Sequence, residues 1–146
     1  MNTGRRILLA TLVAGTLDIT AAALLALLAG GAPDKMLRGV ASGPFADAKH
    51  WGAGGALLGL AVHFAIMAAM AAVFVLAADR WPVLKTRWLA AGIGYGLATW
   101  AVMNLVVLPL RWPAVFPHLD AQSVATSLFC HIVLVGLPIA RIAARR

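Results

Sequence analysis

Residues 53–78 read AGGALLGLAVHFAIMAAMAAVFVLAA, an unbroken apolar run whose one ionisable side chain is His63. As an α-helix rising ~1.5 Å per residue, this run is long enough to cross a hydrocarbon core about 30 Å thick. A helix is also the conformation that satisfies every backbone N–H and C=O within the segment when no water is at hand. The run stops at Asp79-Arg80-Trp81-Pro82, a charged and proline-bearing boundary. It therefore reads as a membrane span.

Three more blocks of the same kind lie on either side of it. One runs from Ile7 to Ala29 behind Arg5 and Arg6, one from Trp88 to Leu110, and one from Ala121 to Ala140. The expected fold is all-α, a polytopic bundle of four transmembrane helices (about 7–29, 53–78, 88–110 and 121–140) forming one domain over residues 1–146. A cleaved signal peptide is the competing reading of the first block, because small residues near Ala29 resemble a cleavage site. Its length and the central Asp18 favour a retained span. The short basic turn 79–87, with Pro82, predicts that the second and third spans are antiparallel neighbours in a hairpin.

The bulk properties agree. Of 146 residues, 62% are hydrophobic and 12% charged, with a mean hydropathy of +0.91, where a soluble domain carries about a quarter charged residues. The net charge of +7 does not point to nucleic acid, since the basic residues flank the apolar blocks rather than forming a continuous basic face. Arg5, Arg6, Arg80, Lys85, Arg87, Arg141, Arg145 and Arg146 fall on one side, against Lys35, Arg38, Lys49 and Arg111 on the other. This eight-to-four bias predicts both termini in the cytoplasm of a bacterium, with the protein in its inner membrane. Trp81 and Trp88 at one boundary and Trp51 and Trp112 at the other fit interfacial aromatic belts. In the longest connection, Met36, Leu37, Val40 and Phe45 among charged residues suggest a short helix at the outer interface, with a plain loop as the alternative. The prolines of Arg111-Trp112-Pro113-Ala114-Val115-Phe116-Pro117 should stiffen the last connection.

Ionisable groups inside spans are costly, on the order of 2.5–3.5 kcal/mol for Asp at a helix centre, and so mark candidate sites. Asp18 lies about 18 Å in from Arg6 along its helix, and His63 and His131 each lie about 16–17 Å in from the opposite face. Three helices thus carry polar groups at one depth, and Asn104 follows in the outer half of the third span, ahead of Pro109. Each lies on a small-residue stripe: Thr11, Gly15, Asp18 and Ala22; Gly55, Gly59 and His63; Gly92, Gly96, Trp100 and Asn104; Ser123, Ser127 and His131. Asp18, His63, His131 and Asn104 are the candidate midplane cluster. The bland alternative is that each bonds a neighbouring helix and fixes register. Cys130 reads as a packing residue, and His50 and His118 as interfacial.

Leu60-Ala61-Val62-His63-Phe64, Met103-Asn104-Leu105-Val106-Val107-Leu108-Pro109-Leu110 and Cys130-His131-Ile132-Val133-Leu134-Val135-Gly136-Leu137-Pro138 together resemble a group of bacterial inner-membrane proteins distantly similar to YagU-like proteins. The resemblance implies a four-helix inner-membrane fold in which positions matching His63, Asn104 and His131 recur. It implies no particular activity.

Three roles follow. The first and least demanding is a non-enzymatic membrane module or accessory subunit, working with the lipid bilayer, a membrane protein partner or a copy of itself. The second is a conduit or transporter for protons, ions or a small solute, in which Asp18 exchanges a proton with His63 or His131. The third is a cofactor site, with His63 and His131 on either side of a haem, or both histidines with Asp18 on a metal ion. Gly92-Ile93-Gly94-Tyr95-Gly96 lacks the strand-turn-helix context of a phosphate loop, and no HExxH or nucleophile motif occurs, which leaves enzymatic function disfavoured.

Overall fold

A computed structural model describes residues 1–145; Arg146, counted in the basic-residue bias, lies outside them. The described chain is α-helical, with four helices long and apolar enough to cross a membrane. These are α1 (Thr3–Leu28), α3 (Gly52–Arg80), α5 (Trp88–Arg111) and α6 (Ala121–Ala143). Two short helices complete the set: α2 (Pro33–Ala41) in the first connection and α4 (Val83–Thr86) in the second. A 3-10 turn spans Ala46–His50.

Local chemistry sets the ends. The Asn2 side chain accepts from the Arg5 N–H at the start of α1, and Asp120 accepts from the Ser123 N–H at the start of α6. Both satisfy amides that the first helical turn leaves unpaired. Proline accounts for the irregular stretches. Pro109 and Pro138 lack the N–H that would bond the carbonyl four residues back and crowd that carbonyl. In both cases the helix widens to π-helical turns just upstream, over Met103–Val107 in α5 and Cys130–Gly136 in α6. Asn104 and His131 both fall within these widened stretches, where side chains leave the regular 3.6-residue register.

The packing is lopsided along the bundle axis. The buried core comprises Ala10 and Ala14 of α1, Met67 through Ala78 of α3 and Val135 through Ala143 of α6, with Ala91 and Tyr95 of α5 against it. All of these belong to the half nearer the two termini. There, Arg6 joins three elements. Its guanidinium donates to the Ala143 carbonyl (3.1 Å), to Asp79 Oδ2 (2.8 Å) and to Thr3 Oγ1 (3.2 Å), while Lys85 Nζ meets Asp79 Oδ1 at 2.5 Å.

One expectation about neighbours needs correction. The second and third spans run antiparallel but are not a packed hairpin: α3 packs on α1 and α2, and α5 packs on α6. α3 and α5 meet through Tyr95, whose hydroxyl donates to the Met70 carbonyl (2.8 Å) and whose ring lies 4.9 Å from that of Phe74. The turn fixed their direction, not their separation. The Gly55/Gly59 stripe, which marks a close approach, admits the first connection. A Cβ at Gly59 would run into the Leu37 carbonyl, and one at Gly55 into the Ala48 carbonyl. So the connection is helical, as the amphipathic pattern suggested, and α2 lies directly on α3.

Candidate functional site

Beyond the core, toward the end of the bundle opposite the termini, the helices separate around a cavity of about 730 Å³. Its walls are mostly apolar, from Val62, Ile66, Met67 and Met70 of α3 and Met103, Val107 and Leu108 of α5. Ser42-Gly43-Pro44 and Trp112, Val115 and Phe116 complete the lining at the far end. The four sequence candidates line this one cavity: Asp18 from α1, His63 from α3, Asn104 from α5 and His131 from α6. Every spanning helix contributes one.

Gly15 makes the deepest contact. Its missing side chain leaves room for Phe64, which a Cβ would meet at 2.6 Å. This close approach of α1 and α3 brings His63 Nε2 to 3.0 Å from the Gly15 carbonyl. A carbonyl oxygen accepts, so Nε2 carries the hydrogen and donates. The other ring nitrogen, Nδ1, then faces Asp18 Oδ2 at 4.0 Å, within ion-pair range but beyond hydrogen-bonding distance. A bare Nδ1 and a bare carboxylate are two acceptors and repel; one proton on either turns the contact attractive.

The remaining polar groups bond within their own helices. His131 Nδ1 donates to the Ser127 carbonyl (2.9 Å) and Asn104 Nδ2 to the Trp100 carbonyl (3.1 Å); among the described residues, His131 Nε2 and Asn104 Oδ1 have no partner. α5 and α6 are instead joined by Trp100 Nε1 to Ser127 Oγ (2.8 Å) and by glycines. A Cβ at Gly96 would stand 2.5 Å from the Ile132 Cα and 2.6 Å from the His131 carbonyl. Of the four cavity residues, His63 alone bonds across a helix interface.

Arg111 was read from sequence only as a flanking charge, yet it lines the cavity. Its Nε donates to the Gly43 carbonyl and its Nη2 to the Ser42 carbonyl, both at 2.8 Å, and its guanidinium lies 5.5 Å from the Trp112 ring centroid. One side chain thereby fastens the first connection to the last. The sequence signal was the Arg-Trp-Pro at the end of α5, which carries both a charge and a flat ring. Cys130 is half-buried, His118 stacks edge-on with Phe116 at 4.7 Å, and His50 is exposed.

The cofactor readings find little to build on. Among the described residues, no three His, Cys, Asp or Glu side chains are grouped closely enough to hold a metal ion. Axial haem ligation by His63 and His131 would need a free nitrogen from each, and His63 commits Nε2 to Gly15 and points Nδ1 at Asp18. Comparison with protein-family models, with curated proteins and with solved structures gave no match.

Proposed function

We propose that this chain is a non-enzymatic solute-binding protein of the bacterial inner membrane, a carrier or conduit for a small molecule that occupies the cavity lined by Asp18, His63, Asn104 and His131. The observation that carries this reading is that four polar residues from four helices line a void instead of filling one. Polar groups kept for packing are expected to bond neighbouring helices, and Asn104 and His131 bond their own. About 730 Å³ is within the usual range of small-molecule sites, about 300–1,000 Å³, and a mostly apolar wall with a few convergent polar groups is their usual character.

The close-packed core and the Arg6–Asp79 contact close the half nearer the termini. In the orientation we propose, with both termini cytoplasmic, the cavity then belongs to the periplasmic half. The basic-residue bias supports that orientation.

The test is chemical access. Asn104→Cys in a Cys130→Ser background should react with a membrane-impermeant thiol reagent added to the periplasmic side of sealed vesicles. A cysteine that reacts from neither side would mean the void is a dry packing space, and the carrier reading would fall.

A further inference from the structure

Resting on the reading of the cavity as a solute site, we propose that its ligand is an amphipathic organic cation, an ammonium-like centre on an apolar or aromatic body, which binds at Asp18 by displacing the proton held between Asp18 and His63. The carboxylate at the midplane end of the lining points there first. Asp18 is the one carboxylate in it. Among the described residues Asp18 accepts no hydrogen bond, and its ion-pair partner stands off at 4.0 Å. Its side chain is 25% exposed against 11% for His63, so the carboxylate is the more open member of the pair. A desolvated carboxylate without donors is stabilised by a proton or by a cation, and the geometry offers space for either.

The rest of the lining selects the kind of cation. A bare metal ion of the calcium or magnesium type takes six or more oxygen ligands, and no such cluster surrounds Asp18. Met67, Met70 and Met103 present thioethers and Trp112 and Phe116 present rings. Such polarizable, adaptable surfaces suit an alkyl or aryl body and, at the rings, a cation's charge. An anion would be set against Asp18.

The other ionisable groups are compatible with this assignment. His63 of α3 and His131 and Cys130 of α6 are the titratable neighbours of Asp18, and α5 brings the neutral Asn104. α2 contributes Gly39 and Val40 to the lining and no charge. Arg111 stands seven residues beyond Asn104, about 10 Å along α5, with its guanidinium already shared between the Ser42 and Gly43 carbonyls. The exchange balances in charge: one cation enters and one proton leaves to bulk water. The exchange leaves Asp18 ionised against the bound cation and His63 neutral with its Nε2–H on Gly15.

Three aryl probes of different charge test this on the full chain in nanodiscs of zwitterionic lipid, against empty discs: tetraphenylphosphonium, its anionic isostere tetraphenylborate, and the smaller neutral triphenylphosphine oxide. Tryptophan emission reads occupancy, and a dye in weakly buffered solution reads protons. Saturable binding of the cation is expected, with about one proton released per cation and an affinity rising up to about tenfold per pH unit while the pair is protonated. Asp18→Asn should abolish the proton release and weaken the cation at least about tenfold. The wild-type comparison of three probes decides the matter even if that variant does not fold. Equal binding of the neutral and cationic probes, or cation binding without proton release, would overturn the ligand class while leaving the solute site standing. Binding of no probe above empty discs would overturn the proposal. Whether the solute site falls with it is decided separately by the thiol-access result at Asn104.

Discussion

His63 spends both ring nitrogens on α1: Nε2 lies 3.0 Å from the Gly15 carbonyl and Nδ1 lies 4.0 Å from Asp18 Oδ2. One ring therefore sets the register of α3 against α1 and holds the proton position beside the acid. Any substitution of His63 changes a structural contact and a chemical one together, whereas the other two polar residues of the cavity separate these effects.

His63→Leu should destabilise the bundle by about 0.6–1.7 kcal/mol, the range for an interhelical hydrogen bond in a membrane protein. His131→Leu and Asn104→Leu should fall within about 0.5 kcal/mol of wild type, because each gives up a bond to its own helix and places an apolar group against an apolar wall. Unfolding in mixed detergent micelles measures all three. A cost at His131 equal to that at His63 would show that His131 bonds across helices after all.

Glycine substitutions should be sharply position-dependent. At Gly96 a methyl group meets the backbone of Ile132 and His131, which cannot turn aside as a flexible side chain would, while Gly54 has nothing within 4 Å. Gly96→Ala should therefore cost about 1–3 kcal/mol by overpacking and displace His131 from the cavity. Gly54→Ala should be neutral or mildly stabilising, since alanine is the better helix former. Paired thermal melts distinguish them, and equal melting points would mean α5 and α6 are not in the close contact described.

The spans were legible because lipid imposes length and uniform apolarity on them, and residues 53–78 meet both demands without reference to anything else. The candidate residues were legible for a related reason: a charge in a span is costly, so Asp18 and His63 stand out against their surroundings. Less could be read of what lies between helices. Hydropathy does not say how closely neighbours pack, so the sparse contact of α3 with α5, made at Tyr95, was missed. A small-residue stripe does not name its occupant, so nothing in it showed that Gly55 and Gly59 receive the first connection. Arg111 looked like one more flanking charge because its partners are backbone carbonyls of Ser42 and Gly43, far away in sequence and invisible to any pattern of side chains.

Arg6 and Asp79 should behave as a lock on the termini side. The Arg6 side chain is 8% exposed and its Nε is buried without a partner, so it depends on the contacts its terminal nitrogens make. Asp79→Ala would leave a buried guanidinium short of its counter-charge and should cost about 2–4 kcal/mol, somewhat below a fully buried pair because Asp79 is 28% exposed. Arg6→Lys should recover little of the wild-type stability, since an ammonium has no fork to span Asp79 and the Ala143 carbonyl. A double-mutant cycle in detergent tests the pair, and a coupling energy near zero would reduce it to a surface contact.

Orientation can be checked directly. A reporter active only in the periplasm should be silent when fused at the carboxyl end and active when inserted between Pro113 and Pro117. The opposite pattern would invert the protein and place the cavity on the cytoplasmic side. A signal peptidase cut near Ala29 would remove α1, and with it Asp18.

The last expectation concerns the far end of the cavity, where Arg111 hydrogen-bonds the first connection beside the start of the last. Its two hydrogen bonds leave from Nε and Nη2 to adjacent carbonyls, a planar fork that lysine cannot reproduce because an ammonium on a flexible stem is a point donor. Arg111→Lys keeps the charge and much of the apolar stem, so insertion and global stability should change little. What should change is local. Losing one charge-assisted bond is worth about 1.5 kcal/mol, so amides of residues 42–50 and 112–117 should exchange with deuterium roughly tenfold faster, provided they exchange through local opening. The core amides of α3 near Ala71 and Val75 should be unaffected. Hydrogen-exchange mass spectrometry in nanodiscs resolves these segments. If both connections loosen together, Arg111 is the fastening between them. If only residues 112–117 respond, the Ser42–Gly43 segment is held by the packing of α2 on α3 and Arg111 merely rests against it.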